Sequence, residues 1–298
     1  MVLVVFACSD DPVAGANPNV PEGGTITEDG AIVGPDGEVI TPPDPPKPSV
    51  VDVTTGTLGG FGDRPDYTIA VPKTYAATKS YPLVLVMHGD GGDGAGMRNY
   101  HTLDNESGAD AIVVYPSGKS RTWDLSTLYA QNEDQNYVEG LIAALKAKYS
   151  IDGARVFGVG WSSGGFLVSQ LTCRRSNIFR GIVIHAGGAP FELPENEQKD
   201  QNGYLLCPNA TKVAALVTHG DADGTVEPSS GDFAARHWAH ANGCNADPDA
   251  RVAATPAPCR SHVACPSADP VTFCLIPGNG HGVWKDAIVV EWAFLKAL

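Results

Sequence analysis

Along most of the chain, apolar residues gather into short unbroken blocks, and between those blocks they recur at the spacing of one helix face. Blocks of the first kind read as strands covered on both faces, and the intervening segments as helices with a single buried stripe. The blocks are Tyr81–Met87, Ala111–Tyr115, the run through Val156-Phe157-Gly158-Val159, Gly181–Ile184, Val213–Thr218 and Val271–Ile276. Asp66–Pro72 alternates instead, as an outer strand does. Helices are expected through Met97–Leu103 and under the stripe Val138, Leu141, Ile142 and Leu145 to about Tyr149. Further helices are expected at Phe166, Leu167 and Leu171, over Ser230–Ala241, and as a closing amphipathic helix over Asp286–Leu298. Strands alternating with helices predict the α/β class, with a central, mostly parallel sheet flanked by helices.

Ahead of Val51 this pattern fails. Met1-Val2-Leu3-Val4-Val5-Phe6-Ala7-Cys8 resembles the end of a bacterial lipoprotein signal, an apolar run and a small residue before a cysteine that is acylated after cleavage. Residues up to about 50 are rich in Pro, Gly and Asp and end in Thr41-Pro42-Pro43-Asp44-Pro45-Pro46-Lys47-Pro48, a composition suited to an extended tether rather than a core. The expected organisation is a signal remnant at 1–8, a tether at 9–50 and one catalytic domain at 51–298.

Composition sharpens this picture. A formal charge of −14 argues against nucleic acid and anionic membrane surfaces as partners. Seven cysteines become an even set if Cys8 carries a lipid, leaving Cys173, Cys207, Cys244, Cys259, Cys265 and Cys274 for three disulfides of open connectivity. That count fits an exported, extracellular-facing bacterial protein, lipid-anchored at Cys8 and monomeric. No Cys-x-x-Cys pair or zinc-spaced Cys/His cluster appears, so neither metal nor cofactor is expected.

The chemistry centres on Gly160-Trp161-Ser162-Ser163-Gly164, where a buried strand turns sharply into a helix. A serine at the apex of such a turn is held clear of its neighbours, and the flanking glycines are needed because side chains there would collide with strand and helix. This strand-turn-helix context marks Ser162 as a nucleophile. An acid belongs just past the strand after the elbow unit, and Asp223 in His219-Gly220-Asp221-Ala222-Asp223-Gly224 is preferred to Asp221. His281, in a glycine-rich loop after the last strand, completes the order Ser162, Asp223, His281. His88, His185 and His219 are set aside because they end strands or precede the acid. His88-Gly89-Asp90-Gly91-Gly92 can turn the backbone N–H of Asp90 toward a developing oxyanion, and the N–H of Ser163 at the helix start supplies a second donor. Trp123, in a long polar loop, either stacks on a substrate ring or packs on the core.

These motifs are similar to the secreted esterases of the polyhydroxybutyrate depolymerase and feruloyl esterase group, carbohydrate esterase family one-like members of the α/β-hydrolase superfamily. The resemblance runs from Tyr67 onward and rests on Pro82-Leu83-Val84 before His88-Gly89, Tyr115-Pro116 with Trp123, Ile151-Asp152, the elbow, His219-Gly220 with Asp223, and Gly280-His281 with Trp284. It implies the α/β-hydrolase fold, the same site residues, and a Cys173–Cys207 bridge. Asp90 and Trp161 depart from residues common at those positions. The implied activity is a serine carboxylic-ester hydrolase; the expected substrate is a feruloyl or acetyl ester of plant polysaccharide, with Trp123, Trp161 and Trp284 as an aromatic rim suited to a feruloyl group, a sugar chain or an aromatic polyester. Polyester depolymerisation is the rival substrate class, a peptidase a rival reaction, and a non-catalytic surface-binding protein on a hydrolase scaffold a rival of another kind.

Overall fold

The computed structural model describes residues 49–298 apart from 62, 63, 65, 128–130, 176, 193–196 and 208–211, together with three short strands earlier in the chain. Cys8 and residues 1–8 lie outside the described residues. Met1–Pro48 and Ser49–Leu298 form separate compact units. In the first, where the composition predicts an extended tether, β1 (Thr25–Ile26), β2 (Ile32–Val33) and β3 (Val39–Ile40) pair antiparallel in sequence order.

The second unit is built on β4 (Val51–Gly56), β5 (Tyr67–Pro72), β6 (Tyr81–Met87), β7 (Ile112–Tyr115), β8 (Ile151–Trp161), β9 (Gly181–His185), β10 (Ala214–Gly220), β11 (Val252–Ala253), β12 (Cys259–Ser261) and β13 (Val271–Ile276). These form one sheet in the order β11-β12-β13-β10-β9-β8-β6-β7-β5-β4. Its centre, from β13 to β7, is parallel, and the strands outside that block pair antiparallel. Every residue of β6, β7, β9 and β10 is buried, which is why these blocks show no alternation in sequence. The pleat divides them between two cores. Leu83, Leu85 and Met87 join Leu141, Leu167 and Trp238 on one face, while Val84 and Val86 join Leu103, Trp292 and Leu295 on the other.

Helices α1 (Gly94–Tyr100), α2 (Leu103–Ser107), α3 (Glu133–Lys148), α4 (Ser163–Arg174), α5 (Pro228–Asn242) and α6 (Ala287–Lys296) cover these faces. Three expectations change. Asp66–Pro72 is not outermost: β4 takes the edge, and Thr68, Ile69 and Ala70 are buried in succession. The single helix through Met97–Leu103 is two, parted at His101, whose φ of −134° leaves the helix and whose ring reaches Glu291. The closing helix carries its one internal acid, Glu291, on the buried side. Disulfides Cys173–Cys207, Cys244–Cys265 and Cys259–Cys274 link α4 to the chain before β10, the end of α5 to the loop before β13, and β12 to β13. The first is the bridge that the family resemblance implies.

Candidate active site

Ser162 joins β8 to α4 with φ 55° and ψ −122°, a backbone region that L residues rarely hold. Its neighbours are glycines by necessity. A Cβ on Gly160 would lie 2.2 Å from Gly164 O, and one on Gly164 would lie 2.5 Å from Met87 O. The Ser162 N–H donates to His185 O at 2.9 Å, and Ser162 O accepts from Gly165 N at 2.9 Å. The turn is thus fixed by backbone on both sides, and its hydroxyl is left to project from the carboxyl edge of the sheet.

Two loops bring the remaining groups to it. His281 Nε2 lies 2.9 Å from Ser162 Oγ, and His281 Nδ1 lies 2.8 Å from Asp223 Oδ2. The loops lie against each other where Gly220 passes Asn279, with room for no Cβ: one there would sit 2.0 Å from Asn279 O. Ala222 N–H donates to Asn279 O at 3.1 Å, and Gly278 N–H to Asp221 Oδ1 at 2.7 Å. Asp221, the acid not chosen, therefore braces the loop that carries His281.

Burial of Asp223 opposes its ionisation, but hydrogen bonds from the His281 ring and from the N–H groups of Val226 and Thr225 hold its carboxyl below the usual carboxylate range. Its Oδ1 accepts from Thr225 N at 2.8 Å and Val226 N at 3.0 Å. His219, set aside in the sequence, places Nε2 3.1 Å from Asp223 Oδ2 and 2.9 Å from Val226 O. With its lone pairs so occupied, Asp223 can orient the imidazole Nδ1–H and stabilise an imidazolium.

The expected oxyanion donors, the N–H groups of Asp90 and Ser163, belong to segments that meet at the elbow, where a Cβ on Gly89 would come within 3.2 Å of Ser162 Cβ. Ser163 opens α4, where backbone N–H groups are unpaired and the helix end is positive. Asp90 turns its side chain to Thr122, whose hydroxyl donates at 2.5 Å, while Gly91 N–H donates to Arg121 O at 2.8 Å. Beneath this loop His88 is buried, accepting from Gly118 N at 2.9 Å through Nε2 and meeting Gly89 O at 2.7 Å through Nδ1. Burial lowers its pKa, so the ring is a neutral tie between two loops.

The aromatic rim is not formed as expected. Trp161 is partly buried, with its ring 5.6 Å from that of His281. Trp123 is not an exposed stacking group: it is 4% exposed, its Nε1 donates to His88 O at 2.8 Å, and its ring stacks on His88 at 4.7 Å. The core-packing alternative holds because the His88 carbonyl supplies the partner that a buried indole needs. Trp284 is likewise buried, in the apolar cluster of Met97, Leu103 and Trp292. Behind the elbow lies a group that the sequence reading missed. His101 Nε2 and His185 Nε2 each lie 2.9 Å from Glu291 Oε2, and all three side chains are fully buried. Among the described residues these are the one set of three close potential metal ligands, and they are already hydrogen-bonded to one another. The signal for it was a lone glutamate within Ala287-Ile288-Val289-Val290-Glu291-Trp292-Ala293-Phe294.

A model of the prolyl oligopeptidase family matches residues 116–237, which include Ser162 and Asp223 but not His281. A curated relative from Aspergillus clavatus named "Probable feruloyl esterase C" is 25% identical over 227 residues, 72% of this chain and 75% of that one. One of the same name from Aspergillus flavus is 26% identical over 190 residues, 62% of this chain and 64% of that one, just under two thirds of its length. The solved acetyl xylan esterase from Aspergillus awamori superposes with a TM-score of 0.64 at 19% identity, covering 83% of this chain and 100% of that one. The fold is therefore that of the α/β-hydrolases, and the motif-based likeness to the feruloyl esterase group is met by these relatives.

Proposed function

We propose that this α/β-hydrolase-fold chain, a carboxylic ester hydrolase, removes feruloyl or acetyl groups from plant polysaccharide by way of Ser162, His281 and Asp223. The observation that carries the reading is the continuous relay of 2.9 Å and 2.8 Å contacts from hydroxyl through imidazole to carboxylate. Ser162 Oγ attacks the ester carbonyl carbon while its proton passes to His281 Nε2. The tetrahedral oxyanion is received by the N–H groups of Asp90 and Ser163, each such donor typically worth ~3–4 kcal/mol of barrier. Collapse breaks the bond to the alcohol oxygen, which takes the proton from His281. Water then attacks the acyl-serine by the same relay, releasing the acid and restoring the hydroxyl.

Curated relatives named as feruloyl esterases support the acyl group, and the named acetyl xylan esterase shares the fold. Three disulfides fit an oxidising compartment, so we place the enzyme outside the cell, where a polymer would be met. Turnover of methyl ferulate, acetylated xylan and polyhydroxybutyrate, with fluorophosphonate labelling of Ser162, tests the reading. Labelling with ester turnover supports it, and an inert Ser162 with no ester cleaved overturns it. One observation favours a second reading: the matching family model is of peptidases. A matched ester and amide pair separates them, with amide turnover exceeding ester turnover favouring the peptidase.

A further inference from the structure

Three rings stand in a row leading away from the serine. The ring centroid of His281 is 5.6 Å from that of Trp161, and Trp161 is 5.0 Å from Tyr100, the two planes inclined by 49°. Tyr100, at the far end, is 49% exposed, whereas His281 and Trp161 are both partly buried. The row is wedged between two loops of the site. A Cβ on Gly89 would come within 2.9 Å of the Trp161 ring, and one on Gly282 within 3.2 Å of the Tyr100 hydroxyl. Tyr100 Oη accepts the N–H of Val283 at 2.8 Å, on the same loop as His281. Tyr100 thus has two separable parts: a hydroxyl committed to the His281 loop, and an aromatic face left open beside a second ring.

We propose that Tyr100, backed by Trp161, is the stacking platform for a planar aromatic acyl group, while its hydroxyl holds the loop of His281 in register. The inference rests on the ester-hydrolase reading and deepens it, because an acyl ring gains offset stacking on this surface and an acetyl or butyryl group gains none. Sequence reading passed over Tyr100, which ends a short helix with nothing in its spacing to mark it.

The test uses the full chain with Tyr100→Leu and Tyr100→Phe, assayed on methyl ferulate and methyl butyrate, which share a leaving group. Tyr100→Leu raises KM for methyl ferulate about fivefold relative to methyl butyrate, the scale of one aromatic contact, and, having lost the hydroxyl as well, lowers kcat on both esters as Tyr100→Phe does. Tyr100→Phe keeps the ferulate KM and lowers kcat on both esters about fivefold, the scale of one lost hydrogen bond. Calorimetric titration of Ser162→Ala with ferulate, with and without Tyr100→Leu, reads the platform without turnover. If esters are cleaved but ferulate KM and affinity ignore Tyr100→Leu, the platform falls and the proposed function stands. If no ester is cleaved yet ferulate binds in a Tyr100-dependent way, the function falls and the platform stands. An equal rise in KM on both esters also overturns the platform.

Discussion

Two histidine–carboxylate couples flank the elbow serine, and they differ in access to water. In one, His281 sits 2.8 Å from Asp223 with its side chain 18% accessible and its other nitrogen on Ser162 Oγ. In the other, His101 and His185 share one oxygen of Glu291, all three wholly buried. Ser162 touches both, presenting its hydroxyl to the first and donating its N–H to the carbonyl of His185 in the second. The open couple can gain and lose a proton in each cycle. The closed couple is shut off from water on every side chain, and it acts as an anchor. It ties the end of β9, the face of α6 and the turn after α1 to the strand that leads into Ser162.

The charges in the closed couple follow from its contacts. Burial opposes ionisation of Glu291, yet the neighbouring His101 and hydrogen bonds from both rings hold its carboxyl well below the usual carboxylate range. Burial also works against a charged His101, but Glu291 outweighs it and raises that pKa. His185 is lowered by burial and stays neutral, so its Nε2–H donates to Glu291 and its Nδ1 accepts from Thr218 Oγ1 at 2.7 Å.

Breaking the open couple has the largest expected effect, on rate and not on stability. Ser162→Ala or His281→Ala should lower kcat by roughly 10⁴-fold or more, as loss of a triad member does elsewhere. The unfolding midpoint should stay where it is. A parallel loss of thermal stability in His281→Ala would show that the two couples are not separable in this way.

Breaking the closed couple reverses that pattern. Glu291→Ala leaves a buried imidazole pair without its carboxylate, a change that typically costs ~3–5 kcal/mol. For a domain of this size, that is a fall of roughly 10 °C in melting temperature. Molecules that remain folded should keep KM. Glu291→Gln sharpens the point through pH. Because the folded-state pKa of Glu291 is depressed, its contribution is fully present above the ordinary value of 4.5 and is lost as pH falls below it. Wild-type stability should therefore decline more steeply below pH 4.5 than that of Glu291→Gln. Equal slopes in urea titrations across that range would refute the ionised assignment.

How far each couple could be read from sequence depends on what holds it. Ser162, Asp223 and His281 were legible because their loops must be shaped by glycines at close approaches such as Gly160, Gly164 and Gly220, and because each follows a recognisable strand. The closed couple joins residues from three remote segments through side chains alone, so no local pattern announces it. Glu291 looks like the polar side of an amphipathic helix until the partner rings are seen. Trp123 misled for the opposite reason. Its neighbours Ser120, Arg121, Thr122 and Asp124 are polar and suggest a surface loop, whereas its indole finds the carbonyl of His88 inside. The short strands β11 and β12 carry too few residues to show a period, and β4 hides behind a mostly exposed pattern.

The smallest expected effect tests the proton placement within the anchor. If His185 is neutral with its proton on Nε2, then Nδ1 is an acceptor and Thr218 must donate to it. Thr218→Val keeps the shape of the side chain but leaves that buried nitrogen unpaired, which should cost about 1–3 kcal/mol. Thr218→Ser restores the donor and should recover most of the loss. In urea unfolding, the valine variant should shift the midpoint without changing the slope, since the surface exposed on unfolding is unaltered. The opposite tautomer would make Thr218 the acceptor and place a bare Nε2 against the Glu291 carboxylate at 2.9 Å, two lone pairs facing each other in a buried site. His185 would then have to be doubly protonated to keep the contact, and stability would fall with rising pH near neutrality in the wild type and not in His185→Gln. The neutral form predicts the opposite sign, because only the unfolded chain then takes up the proton: wild-type stability should rise with pH relative to His185→Gln, and a titration of the two proteins between 5.5 and 7.5, roughly a unit either side of an ordinary histidine, distinguishes the two forms.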